Sequence, residues 1–160
     1  MIERFTSRKE KEACKKALTD SILLWETLAK IAETKTVNSN AKQEALEQMG
    51  IPEIEYPRNH CFLCQFAKDH SGITWTGRNL SGMPCDRKCP VIWTDNNPDN
   101  LDMDDRYVPC MAPGSPYRTF VQNLCHEAEE RKNEVKTAIQ KILALLQKAE
   151  RDIENIPVAR

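Results

Sequence analysis

Five cysteines lie between residues 61 and 110, and their spacing restricts the fold of this chain more than any other feature. Cys61-Phe62-Leu63-Cys64 is a CxxC. Twenty residues on comes Cys85-Asp86-Arg87-Lys88-Cys89, a CxxxC followed by Pro90, and Cys110 follows after a second gap of 20 residues. Tetrahedral zinc needs such a pattern: one close pair holds two sulfurs on one side of the metal, and a second pair closes the other side. Structural zinc is therefore the expected cofactor. Cys61 and Cys64 supply two ligands, and the other two come from Cys85, Cys89 and Cys110. His60 and His70 are further ligand candidates. A site closed by four protein ligands staples structure and does not activate water. The cysteine count is seven, an odd number, and Met1-Ile2-Glu3-Arg4-Phe5 reads unlike a secretory signal, so a secreted disulfide framework is not expected. A thioredoxin-type redox pair would require a βαβ context that the sequence lacks.

Long helical patterns flank the cysteines. Ser7-x-x-Glu10 fits a capping box. Cys14, Leu18, Ser21, Trp25, Leu28 and Ala32 then recur at spacings of four and three, widened by Ala17, Leu24 and Ile31. That predicts an amphipathic helix of about 25 to 28 residues. Asn38-Ser39-Asn40 offers caps for a second helix over 41–49, and Gly50 stops it. A third helix is expected from Ser115-Pro116 to about Asn155, because no Gly or Pro intervenes before Pro157. Leu124, Ala128, Arg131, Val135, Ala138, Ile142, Leu145 and Ala149 form its heptad seam. Cys14 and Cys125 fall inside helical patterns and read as core residues.

Residues 56–115 hold most of the prolines and four of the five glycines, so helix is not expected to dominate there. Gly72 to Gly77 could form a strand of a small hairpin. Thr94 to Asp105 carries five aspartates and no basic residue. Its Asp95-x-Asn97-x-Asp99 start resembles a calcium loop, but Pro98, Asn100 and Arg106 break that pattern, leaving a solvated acidic loop.

The expected fold class is mainly α: a long antiparallel helical hairpin with an embedded irregular zinc-binding module. A single domain over 1–160 divides into N-terminal helices (7–50), the cysteine module (56–115) and a long C-terminal helix (116–155). The stripe of Ile139, Ile142, Leu143, Leu145, Leu146, Ala149 and Ile153 is wider than one partner helix covers. That predicts either a folded-back second helix or, preferably, a homodimeric bundle.

The segment Cys61-x-x-Cys64, Cys85-x-x-x-Cys89-Pro90-Val91, Cys110 and Ser115-Pro116-Tyr117 resembles a pattern in small phage and prophage proteins that are mostly uncharacterised. They carry a CxxC, then C-x(2-3)-C-P with an aliphatic residue, then a lone Cys before Ser/Thr-Pro-Tyr. A Trp-containing helix precedes the pattern, as Asp20 to Trp25 does here, and a long charged helix follows. The two 20-residue spacers here are longer than in that pattern. The resemblance implies a virus-encoded accessory protein in bacterial cytoplasm. It implies no reaction.

No catalytic constellation is present. GxSxG, GxxxxGK[ST] and HExxH motifs are absent, and the deaminase pattern fails because Pro84-Cys85 opens a CxxxC with no H-x-E before it. The chain is read as a non-enzyme, and no run approaches the roughly 20 apolar residues of a membrane span. The leading expectation is binding and modulation of a bacterial host or defence protein, with loop residues such as Trp75, Trp93, Tyr107 and Met111 as anchors. The second is sequestration of a nucleotide immune signal, with Arg78, Arg87, Tyr117 and Arg118 as phosphate and base contacts. Nucleic-acid binding through Arg58, Arg78, Arg87 and Lys88 beside Trp75 and Trp93 stands third. The net charge of -1 gives no electrostatic footprint, and the acidic loop repels phosphate.

Overall fold

The computed structural model describes residues 2, 4–57, 60–70, 88–94 and 109–160. Trp75, Arg78, Cys85, Arg87, Tyr107, the expected 72–77 strand and the five aspartates lie outside them. Among the described residues the chain is helical and has no strand. The helices are α1 (Arg8–Thr34), α2 (Ala41–Gln48), α3 (Phe62–His70), α4 (Pro116–Gln122) and α5 (Glu129–Asp152), with single 3-10 turns at Glu53–Glu55, Pro109–Met111 and Ile153–Asn155.

α1 is the hub. Its 27 residues carry the expected stripe, and Cys14, Leu18, Ser21, Trp25, Leu28 and Ala32 are all buried. Three helices, α2, α3 and α5, pack on it, and α4 packs on α5. Contacts between α1 and α5 join the start of one to the end of the other. Lys15 bridges Glu154 at 2.8 Å, and Thr19 donates to Glu150 at 3.3 Å. At the opposite end Thr36 donates to Glu127 at 2.8 Å. Lys11 donates to the carbonyls of Glu154 and Ile156, satisfying acceptors that the end of α5 leaves open.

The capping pattern at the start of α1 is shifted by one residue. Ser7 Oγ accepts from the Glu10 N–H at 3.1 Å, as a capping serine should. The Glu10 carboxylate accepts from the Thr6 N–H and hydroxyl rather than from Ser7. It also pairs with Lys88 Nζ at 2.6 Å, which ties the end of the cysteine segment to α1. Glu10 is buried despite its charge because these three donors replace water.

The single third helix expected over 116–155 is two helices. Asn123 has φ -107 and Cys125 has φ +65, a left-handed residue that ends a helix as glycine commonly does. Tertiary hydrogen bonds hold the break. The Cys125 N–H donates to Val37 O at 2.9 Å, and Arg131 Nη1 donates to Asn123 Oδ1 at 2.7 Å. Cys125 and Ala128 are both exposed, so neither is the core residue that its place in the helical pattern predicted. A β-carbon in the left-handed region costs about 1 kcal/mol. Cys125→Gly is therefore expected to raise the midpoint of thermal unfolding by a few degrees. In a continuous helix the same change would lower it, so the sign measured by circular dichroism decides between the two geometries.

The apolar stripe of α5 is covered within one chain. Ile139, Ile142, Leu146 and Ile153 are fully buried, and Leu143 and Ala149 nearly so. α1 and α4 pack against α5, and α2 packs on α1 rather than folding back onto α5. The two ends of the chain add Phe5, Val158 and a short parallel bridge between them, with Phe5 N–H donating to Pro157 O at 2.9 Å. The stripe does not by itself require a second copy, although Leu145 within it is only half-buried.

Candidate functional site: a thiol and aromatic cavity against α1

The CxxC does not sit in an irregular knuckle. Cys61 immediately precedes α3 and Cys64 lies in its first turn, so Cys61 occupies the N-terminal position of a helix whose first N–H groups are unsatisfied by the helix itself. α3 is held on α1 by buried Leu63, Phe66 and Ala67. This docking turns the thiol pair toward a cavity of about 360 Å³.

Every surrounding helix contributes a wall. α1 supplies Ser21, Leu24 and Trp25, α2 supplies Lys42, α4 supplies Tyr117 and Val121, and α5 supplies Leu146. Trp93, His60, Cys110 and Met111 complete it. The aromatic rings brace one another. Trp25 meets Phe120 edge-on at 4.9 Å and Tyr117 at 6.0 Å, and Trp93 lies 6.2 Å from Tyr117. Lys42 donates to the Tyr117 hydroxyl at 2.8 Å, and its ammonium sits 4.6 Å from the Tyr117 ring centre.

The electrostatics of the thiols divide sharply. At Cys61 the Cys64 thiol donates a hydrogen bond to the sulfur, and that contact lowers the pKa most. Burial opposes it, while the Lys42 charge and the backbone N–H groups of Cys64 and Leu63 add to the lowering, and the result is about 6. These contacts favour the thiolate form of Cys61. Burial works against the Lys42 charge, but Tyr117 and the sulfurs of Cys61 and Cys64 outweigh it and raise its pKa. Cys14 is the opposite case. Burial, then the neighbouring Cys89 and Glu10, push its pKa up to about 12 against a smaller lowering from Lys88, so it stays a thiol.

Of the five expected metal ligands, Cys61, Cys64 and Cys110 line this one cavity. Cys89 is buried beside Cys14 instead, where Lys88 anchors its segment to Glu10. Cys85 lies outside the described residues. Among the described residues no three Cys, His, Asp or Glu side chains stand close enough together to hold a metal ion. His60 shares the cavity, whereas His70 packs on Phe66 at 4.8 Å. Trp93, expected as an exposed anchor, is 8% exposed and forms cavity wall with Met111. Tyr117 is also in the wall, and Arg118 is half-buried outside the lining.

Two central residues were not singled out from sequence as site residues. Trp25 reads as an ordinary stripe position. Lys42 had a signal: it shares a helix face with Ala45 and Leu46, both buried, and a lysine on an apolar face invites the question of what it meets.

No helix among the described residues is long and apolar enough to cross a membrane. No family model matches the chain, and neither a curated protein nor a solved structure matches it. Its class is thus set by architecture: a helical protein gathered on one long helix, with a thiol and aromatic cavity against that helix.

Proposed function

We propose that this chain is a non-catalytic binding protein whose cysteine segment is stapled by zinc. The observation that carries the reading is the convergence of Cys61, Cys64 and Cys110 on one cavity, although 45 residues separate Cys64 from Cys110. The donor chemistry suits the metal: thiolate is the form that binds zinc, and a CxxC at the start of a helix presents two sulfurs on one side. Cys85 or His60 would supply the fourth ligand, and the metal would join the start of α3 to the turn before α4. Lys42 would offset the surplus negative charge of the thiolates. Zinc in such a closed site supplies fixed geometry and no activated water.

The non-catalytic part of the reading rests on the residues near the thiols. Among the described residues the cavity wall carries one imidazole, His60, and no carboxylate. A nucleophile–base–orienter chain has no third member among them. The resemblance to phage proteins makes a bacterial setting, and a bacterial target, the natural context. Trp93 and Met111 face inward, which favours recognition inside the cavity over an aromatic-anchored protein surface.

Metal analysis of the purified chain tests the reading. One zinc per chain is expected, lost in Cys61→Ser/Cys64→Ser and retained in Cys14→Ser and Cys125→Ser. Chelation should release α3 and the 109–111 turn before α1 and α5, because binding energy is folding energy at such sites. A metal-free protein with a complete helical signature sinks the proposal.

A further inference from the structure

In the 88–94 segment Cys89, Val91 and Trp93 are buried while Ile92 is 45% exposed, the alternation of an extended chain with one side on the core. Both ends of the segment are placed against α1. Lys88 Nζ meets Glu10 at 2.6 Å near the start of the helix. Trp93 lines the cavity with Ser21 and Trp25, farther along it. Cys14 to Trp25 spans about 16 Å at the helical rise, and Cys89 to Trp93 about 13 Å as extended chain. The segment is therefore a strap that runs beside α1, and Cys89 comes to the turn that carries Cys14. Glu10 and Cys14 are one turn apart on one face of α1, and Cys89 directly follows Lys88, the partner of Glu10. Cys14 is fully buried and Cys89 is 8% exposed, within one core cluster. Neither is in a disulfide. Cys89 is close enough to act electrostatically on Cys14.

We propose that Cys14 and Cys89 are a disulfide-forming pair, oxidised by a small peroxide to latch the strap onto α1. Exposure orders the steps. Cys89, the sulfur nearer to solvent, attacks hydrogen peroxide. The O–O bond breaks, one oxygen stays on Cys89 as a sulfenic acid, and water leaves. The Cys14 sulfur then attacks the sulfur of Cys89. The S–O bond breaks, the S–S bond forms, and a second water carries away the Cys14 proton. Two thiols and one peroxide thus give one disulfide and two waters. Burial holds Cys14 as a thiol, which keeps it from reacting with oxidant alone and reserves it as the resolving partner. The bond closes a loop of about 75 residues and so restricts the unfolded chain. It also fixes the strap whose far end, Trp93, walls the cavity. Oxidation holds that wall in place, and a dithiol releases it. The proposal uses the cysteine that the metal reading leaves aside. It is independent of that reading, because Cys61, Cys64 and Cys110 take no part.

The full chain as purified is treated with hydrogen peroxide under native conditions. Remaining thiols are capped with N-ethylmaleimide, and digests are mapped by mass spectrometry. A peptide joining Cys14 to Cys89 is expected, absent from Cys14→Ala and Cys89→Ala and lost on adding dithiothreitol. Oxidation should raise the midpoint of thermal unfolding by several degrees in wild type and in neither variant. Should a variant fail to fold, the wild-type map still decides. Absence of the joined peptide overturns the proposal, as does Cys89 joined instead to Cys61, Cys64, Cys85 or Cys110. An equal yield of the Cys14–Cys89 peptide from protein oxidised in urea also overturns it, because the fold would then play no part in the pairing. Zinc content measured on the same samples tests the metal reading separately.

Discussion

Lys88→Met is expected to destabilise the fold by about 3 kcal/mol at neutral pH, because it strands a buried carboxylate. Glu10 is 2% exposed and Lys88 Nζ is its one cationic partner among the described residues. Burial alone would raise the Glu10 pKa, but Lys88 and the two Thr6 donors outweigh it and hold the pKa below the ordinary glutamate value. The sign of the pH dependence follows. A carboxyl whose folded pKa is depressed adds stability above its unfolded pKa, and loses it as pH falls through the folded value. Wild-type protein should therefore weaken on acidification through and below the usual glutamate range. In Lys88→Met the Thr6 donors remain but the cationic partner is lost, so burial weighs more and Glu10 takes up a proton at higher pH than in wild type. That variant should lose less stability on acidification than wild type, and the gap between them should narrow toward acid pH. The double variant Glu10→Gln/Lys88→Met should be less damaged than the sum of the single changes. Urea unfolding at pH 7 and pH 4 measures all three. A gap that stays constant or widens with acid would show that the pair does not hold the 88–94 segment to α1.

Trp25→Ala carries the other large effect, a loss of about 3 to 5 kcal/mol. The indole is 5% exposed and braces Phe120 and Tyr117 from α1. Truncation would merge its volume with the existing cavity, and neighbours pinned by other helices could not collapse to fill it. Trp25→Phe preserves part of the contact and should cost less than half as much. Near-ultraviolet circular dichroism should change in both, because Trp25 lies in an asymmetric aromatic cluster. Equal stability of the alanine variant and wild type would mean that the cluster does not join α1 to α4.

The structure divides into parts that local sequence encodes and parts that only tertiary contacts produce. α1 belongs to the first kind. A four-three stripe over more than seven turns leaves little choice of buried face, and Cys14 to Ala32 are buried as the periodicity requires. The end of α2 is also legible, since Gly50 adopts φ +75 where a β-carbon would be strained. The break between α4 and α5 is of the second kind. No glycine or proline announces it, and helical periodicity runs through it. It exists because the Cys125 N–H finds Val37 and Arg131 finds Asn123, contacts invisible to a window of neighbouring residues. The cavity behaves likewise. Its thiols stand out in the sequence, yet Lys42 and Tyr117 meet across 75 positions. The width of the α5 stripe has a related explanation: it exceeds what one helix can cover, and the chain packs it against both α1 and α4.

The pairing of α1 with α5 has a kinetic consequence. Most helical bundles assemble from neighbours in sequence and fold quickly. Here the principal partners are separated by about 90 residues, and closing so long a loop costs about 4 kcal/mol of chain entropy before any apolar contact rewards it. A thiolate staple from the start of α3 to the turn before α4 would cut that loop short. On the zinc proposal, the cysteine segment would govern the rate at which distant helices find each other. A bound metal would be felt first in the time the chain takes to fold, and in how long its apolar stripes stay open to other chains.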